Sequence, residues 1–79
     1  MNKRKNLGQH FLKSKTIAKS IVSNANITRN DVILEIGTGH GILIPYICEK
    51  AKQVFSVESD KNLYLFAKSY LDDYSNLVL

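Results

Sequence analysis

The hydrophobic residues of this chain alternate between helical and extended patterns. Over residues 14–24, apolar side chains recur three to four positions apart, which predicts an amphipathic helix. Val32–Ile36 is aliphatic except for Glu35 and shows no clean alternation, and such a run is typical of a parallel strand covered on both faces. A second helical pattern is expected to begin near Gly41, because Pro45 is tolerated only in the first turn of a helix.

The rest of the chain repeats the pattern. Val54–Glu58 predicts a second strand ending in an acid, Asp60 is placed to cap a third helix, and Asn76–Leu79 begins a third strand. The inward face of that third helix is expected to hold four residues: Leu63, Phe66, Ala67 and Tyr70. Alternating helices and strands predict a parallel sheet with right-handed crossovers. A doubly wound domain has about five strands or more, so the chain is expected to be the opening half of one.

The glycine-rich turn after the first predicted strand is the strongest chemical signal. Residues 37–41 read Gly-Thr-Gly-His-Gly, and glycines let the backbone turn sharply and approach a ligand closely. The helix that follows is expected to point N–H groups at the same ligand. Glu58 lies 21 residues after Gly37, at the end of the next strand, where a carboxylate can accept both hydroxyls of a ribose. An adenosine-type ligand is therefore expected.

The glycine spacing distinguishes between adenosine ligands. A dinucleotide fingerprint, G-x-G-x-x-G, requires glycine where this chain has Ile42, which disfavours an NAD-dependent oxidoreductase. The sequence from Glu35 to Gly41, Glu-Ile-Gly-Thr-Gly-His-Gly, resembles motif I of class I S-adenosylmethionine-dependent methyltransferases. Because that cofactor has no pyrophosphate, the turn needs to accept only its amino-acid end and its ribose.

The segment before the first predicted helix indicates which methyltransferase family the chain resembles. Leu7-Gly8-Gln9-His10-Phe11-Leu12 resembles the G-Q-[NHC]-F-L signature that opens the rRNA adenine N6-dimethyltransferase family and is shared in part by erythromycin-resistance rRNA methyltransferases. With residues 31–41 and 57–60 in the expected order, the resemblance covers nearly the whole chain from Leu7. It implies an incomplete Rossmann-like class I methyltransferase fold of the α/β class: two to three parallel strands, their intervening helices and an N-terminal helix.

The resemblance also implies which residues hold S-adenosylmethionine. His10, where the family more often has asparagine, and Leu12 are expected to line the cofactor pocket from an N-terminal loop. Gly37 and Gly39 are expected to lie under the methionine part of the cofactor, and Glu58 to bind its ribose.

No catalytic residue is assigned within the chain. The family's Asn-Leu-Pro-Tyr-type motif is absent, because Leu43-Ile44-Pro45-Tyr46 has leucine where the polar acceptor must be and falls on the first helix after the glycines. Tyr46 is therefore expected to be a core or helix-surface residue. The chain by itself is expected to bind the cofactor weakly at best and to be inactive.

Charge is distributed unevenly along the chain. Residues 1–30 hold seven basic residues and no acid, whereas residues 31–79 hold four lysines and seven acids, and the net charge is +4. In an enzyme acting on ribosomal RNA, the basic end is suited to phosphate contacts by Lys3, Arg4 and Lys5. We therefore expect a basic arm, a cofactor-lining loop and a helix over residues 1–30, and the first half of the cofactor-binding domain over residues 31–79.

The remaining expectations follow from composition and from the family. No apolar run is long enough to span a bilayer, the N-terminus lacks a secretory pattern, and the single cysteine, Cys48, has no zinc-ligand spacing around it. A cytoplasmic, metal-free protein is expected, monomeric when complete. The resemblance implies methyl transfer to N6 of adenine in small-subunit ribosomal RNA or its precursor. A methyltransferase for another substrate and a non-catalytic adenosine- or RNA-binding remnant stay open as alternatives.

Overall fold

The computed structural model describes the backbone of residues 3–79 and the side chains from residue 14 onward. Helices and strands alternate in this part of the chain: α1 (Lys3–Asn24), β1 (Val32–Ile36), α2 (Ile44–Lys50), β2 (Gln53–Val57), α3 (Lys61–Leu71) and β3 (Leu77–Val78). The predicted order is confirmed, and the bounds of β1 agree with those expected from its aliphatic run. Among the residues described, no helix is both long enough and apolar enough to cross a membrane.

The three strands form one parallel sheet in the order β1-β2-β3. Val32 pairs with Gln53 and Ile36 with Val57, so β1 and β2 run side by side over their whole length. Helices α2 and α3 make the crossovers that parallel strands require. Because the carboxyl ends of β1 and β2 lie at the same edge of the sheet, the residues that follow them, Gly37 and Glu58, are brought together.

The helices cover one face of the sheet. The core contains Val22 of α1, Ile44 and Ile47 of α2, Val54 of β2 and Leu71 of α3, all of them buried. Removing such apolar side chains from water is the main contribution to stability in a domain of this size.

The other face of the sheet is uncovered in the part of the chain that the structure describes. Leu34 lies opposite Phe55, Ile36 opposite Val57, and Phe55 opposite Val78, so their side chains share one surface. We call this surface the open face; six apolar residues form it, each between 40% and 75% exposed: Val32, Leu34, Ile36, Phe55, Val57 and Val78.

The N-terminal helix begins earlier than predicted. The sequence pattern places an extension and a loop before residue 14, whereas α1 is helical from Lys3. Pro45 is the one proline of the chain, so no proline interrupts this segment, and Gly8 costs a helix only about 1 kcal/mol relative to alanine. The expected loop is therefore absorbed into α1.

Two further expectations about the helices are corrected. Helix α2 begins at Ile44, not near Gly41, because Gly41 has a φ of 77° that no right-handed helix accommodates. On α3, Ala67 is buried as expected, but the rings of Phe66 and Tyr70 are half-exposed and Leu71 is buried instead. The predicted cap of α3 is confirmed, since Asp60 Oδ1 accepts a hydrogen bond from the Leu63 amide at 3.0 Å.

Candidate cofactor site

The glycine turn leaves β1 in a conformation that requires glycine. Gly37 and Gly39 have φ values of 86° and 58°, in the left-handed region that other residues rarely adopt. The amides of Gly37 and Thr38 both donate to the carbonyl oxygen of Val57, at 2.7 and 3.2 Å, which joins the turn to the end of β2. A Cβ atom added at Gly37 or Gly39 would meet no other heavy atom within 4 Å, so both positions border open space.

Glu58, the residue after β2, is hydrogen-bonded to this turn. One carboxylate oxygen, Oε1, accepts from the Gly39 amide at 2.7 Å, and the other, Oε2, accepts from the Asp60 amide at 2.9 Å. The Asp60 and Gly39 amides hold the pKa of the Glu58 carboxyl below its ordinary value. A carboxylate offers about four lone-pair positions, so two backbone donors leave acceptor capacity for two hydroxyl groups.

A buried chain of side-chain hydrogen bonds lies behind the turn. The Thr38 and Ser56 hydroxyls are 2.5 Å apart, and Ser56 Oγ donates to Glu35 Oε1 at 2.5 Å. Thr38 and Ser56 are only 5% and 4% exposed. Burial raises the pKa of the Glu35 carboxyl, the Ser56 hydrogen bond opposes that rise, and the nearby charge of Glu58 adds to it. Neither hydroxyl residue is predicted from the sequence, where their signal is a polar position between Phe55 and Val57 in β2 and another between two glycines of the turn.

The far end of the turn packs against α3. The Tyr70 hydroxyl donates a hydrogen bond to the His40 carbonyl oxygen. The Phe66 ring contacts both the His40 ring and the Tyr70 ring edge to face, at centroid distances of 5.6 and 5.4 Å. A groove of about 840 Å³ runs beside these rings between α1, α2 and α3, but its lining does not include Gly37, Gly39 or Glu58. This groove is therefore separate from the candidate cofactor site.

Gly41→Ala is expected to lower the free energy of unfolding by about 2–4 kcal/mol, from the strain of a positive φ and from overpacking. A Cβ at Gly41 would lie 2.7 Å from both Leu71 Cδ1 and Tyr70 Oη. Urea unfolding followed by circular dichroism measures the change. Gly39→Ala is the matched control, because Gly39 has a positive φ but open space around it. If both variants lose the same free energy of unfolding, the contact with α3 does not contribute to the effect of Gly41→Ala.

The other residues singled out by the sequence fall into two groups. The side chains of five lie outside the described residues: Lys3, Arg4, Lys5, His10 and Leu12. Tyr46 is half-buried against the core, as predicted. Burial raises the pKa of the Cys48 thiol to about 11, and the charge of Glu35 makes a smaller contribution in the same direction. Among the described side chains, no group of three or more histidine, cysteine or acidic residues is placed to hold a metal ion.

A parallel sheet whose first strand ends in a glycine turn and whose second strand ends in an acid defines one class of protein. This class is the Rossmann-like α/β fold, present here in part, in which ligands commonly bind at the carboxyl edge of the sheet. Within that class, the chain matches the model of the ribosomal RNA adenine dimethylase family over residues 1–79. The chain belongs to that family, as its glycine turn and N-terminal signature predict.

Similar proteins agree with this assignment. The chain is 43% identical over 77 residues to a probable ribosomal RNA small subunit methyltransferase A of Methanococcus aeolicus, covering 98% of this chain and 28% of the relative. It is 39% identical over 75 residues to the ribosomal RNA small subunit methyltransferase A of Clostridium botulinum strain Loch Maree, covering 95% of this chain and 27% of that protein. The chain thus spans little more than a quarter of the length of these relatives.

Solved structures confirm the fold. The crystal structure of the 23S rRNA methyltransferase ErmE superimposes with a TM-score of 0.72 at 27% identity, over 78% of this chain and 25% of that one. A dimethyladenosine transferase from Plasmodium falciparum gives a TM-score of 0.69 at 31% identity, over 78% of this chain and 24% of that one. The predicted Rossmann-like architecture, present in part, is confirmed by these superpositions.

Proposed function

We propose that this chain provides the cofactor-binding part of a methyltransferase that uses S-adenosylmethionine to methylate N6 of adenine in small-subunit ribosomal RNA. The observation that carries the proposal is the hydrogen bond between the Gly39 amide and the Glu58 carboxylate. It joins the glycine turn after β1 to the acid after β2 across 2.7 Å. Family membership supplies the reaction class.

The residues present fit the cofactor. Gly37 and Gly39 offer a surface without side chains, suited to the methionine part. Glu58 is an ionised acceptor with capacity for the two ribose hydroxyls. When bound, S-adenosylmethionine supplies a methyl group on a sulfonium. His10 and Leu12 are proposed to line the same pocket from the N-terminal side.

The RNA substrate is proposed from the relatives and from charge. The two sequence relatives are named as small-subunit rRNA methyltransferases. Of the two solved structures, one is named as a dimethyladenosine transferase and the other as a 23S rRNA methyltransferase. The basic N-terminal end, with Lys3, Arg4 and Lys5, is suited to phosphate contacts that do not depend on sequence.

The residues that act on the adenine amine are proposed to lie outside residues 1–79. The N6 lone pair is delocalised into the ring, so catalysis has to hold the amine in line with the methyl group and accept its hydrogens. Tyr46 packs against the core on α2, which does not suit it for contact with a base at the glycine turn. Residues 1–79 are therefore proposed to bind the cofactor without completing the reaction.

A chimera tests this function. Residues 1–79 replace the matching 77 residues of the Methanococcus aeolicus relative, and the purified chimera is titrated calorimetrically with S-adenosylmethionine and with NAD. We expect binding of S-adenosylmethionine only, together with dimethyladenosine in unmethylated small-subunit rRNA, detected by mass spectrometry. The intact relative is the positive control.

Three outcomes of this experiment contradict the proposal. Binding of NAD instead would favour an oxidoreductase. Cofactor binding without methylation, when the intact relative is active, would indicate a remnant that does not support catalysis even within a complete protein. Failure to bind either ligand in a folded chimera would remove the cofactor assignment.

A further inference from the structure

Two hydroxyl groups are buried directly behind the glycine turn. Thr38 is the residue between Gly37 and Gly39, and Ser56 lies on β2 facing the helices, in the layer that also holds the buried side chain of Val54. A buried hydroxyl without a partner is costly, so this pair is stable only because each group is hydrogen-bonded. The contacts run in series from Thr38 to Ser56 to Glu35, each 2.5 Å long.

The direction of these hydrogen bonds is determined by the carboxylate. A hydroxyl has one proton, and Ser56 donates its proton to Glu35. Thr38 must therefore donate to Ser56. The Thr38 side chain is thus tied through Ser56 to β1, while its amide donates to Val57 and its carbonyl oxygen accepts from the Gly41 amide at 3.0 Å.

These hydrogen bonds affect ligand binding because a glycine turn by itself has little conformational order. Glycine loses more conformational freedom on becoming ordered than any other residue, and three of the five residues in this turn are glycines. A ligand that has to order the turn binds more weakly than one that meets a turn already in place.

We propose that Thr38 and Ser56 are positioning residues for the cofactor. The chain from Glu35 through Ser56 to Thr38 holds the turn where the Gly39 amide and the Glu58 carboxylate face each other. This inference rests on the proposed function, since the ligand it serves is S-adenosylmethionine. Neither residue is proposed to touch the reacting atoms.

Thr38→Val in the chimera is the direct test. Valine keeps the shape of threonine but cannot donate to Ser56, and we expect S-adenosylmethionine to bind about tenfold more weakly, as for the loss of one buried hydrogen bond. Thr38→Ser keeps the hydroxyl and is expected to bind within about threefold of the parent. Ser69→Ala, which removes an exposed hydroxyl on α3, is the matched control and is expected to have no effect.

Kinetics separate positioning from general destabilisation. For Thr38→Val we expect a higher KM for S-adenosylmethionine, with kcat at saturating cofactor and the KM for RNA unchanged. Ser56→Ala is expected to have a similar effect, and the double variant is expected to be less than additive because both residues belong to one chain of hydrogen bonds. An unchanged KM for the cofactor, or equal losses in Thr38→Val and Thr38→Ser, would overturn the proposal.

Hydrogen exchange distinguishes this proposal from the proposed function. In the unliganded chimera, the Gly39 and Gly41 amides are expected to exchange faster in Thr38→Val than in the parent. If the parent fails to bind S-adenosylmethionine, the proposed function fails. If the parent binds but these amides exchange equally in both proteins, the positioning role fails.

Discussion

Glu58→Gln is expected to weaken binding of S-adenosylmethionine to the chimera by about 100-fold, corresponding to the loss of charged hydrogen bonds to the ribose. The glutamine side chain has one acceptor oxygen in place of two, so its amide group must face either the Gly39 amide or the Asp60 amide, donor against donor. The substitution thus removes a ribose acceptor and releases one side of the turn. Calorimetric titration measures the change in affinity.

Two control variants separate these effects. Glu49→Gln removes an equal charge from an exposed position on α2 and is expected to leave the affinity unchanged. Glu58→Asp keeps the charge on a shorter side chain and is expected to bind more weakly than the parent but better than Glu58→Gln. If Glu58→Gln binds as Glu49→Gln does, the ribose is held by another group and the assignment of Glu58 is wrong.

The sequence predicted the meeting of the glycine turn and Glu58 because simple geometry determines it. Val32–Ile36 has the aliphatic composition of a parallel strand, and the carboxyl ends of adjacent parallel strands lie at one edge of a sheet. Given two such strands, the residues that follow them are neighbours wherever the helices lie. The roles of Gly37, Gly39 and Glu58 in binding the cofactor stay predictions.

The hydrogen-bonded chain behind the turn could not be predicted in the same way. Thr38 and Ser56 are 18 positions apart, and their contact depends on the register between β1 and β2, which hydrophobic periodicity does not determine. Hydroxyl residues in strands and turns more often face water. Only the observed burial shows that these two form one unit with Glu35.

The buried face of α3 was not predicted correctly from its sequence. Phe66 and Tyr70 were expected inside because apolar residues at helical spacing commonly face a core. Ala67 is buried as expected and Leu71 is buried beside it, whereas both rings stay half-exposed at the end of α3 that meets the glycine turn. Which face of a short helix is buried depends on the distance between elements, and local sequence does not encode that distance.

Residues 1–79 by themselves are expected to self-associate through the open face. Its six residues form one apolar surface, and burying a side chain such as leucine or valine contributes about 1.5–3 kcal/mol. In the described residues β1 is paired only with β2, so its other edge is also available for pairing. Sedimentation velocity over a range of concentrations is expected to show dimers or larger species for the isolated chain.

Leu34→Lys places a charge near the middle of the open face and is expected to shift the isolated chain towards monomer. Leu65→Lys is the matched control, because Leu65 is 51% exposed on α3 and does not belong to that face. In the chimera, Leu34→Lys is expected to destabilise the protein strongly. The relative is about three and a half times as long as this chain, and its additional residues are expected to bury this face. A lysine tolerated at position 34 in the chimera would show that the face stays in water. The self-association of the isolated chain would then have no counterpart in the folding of the longer protein.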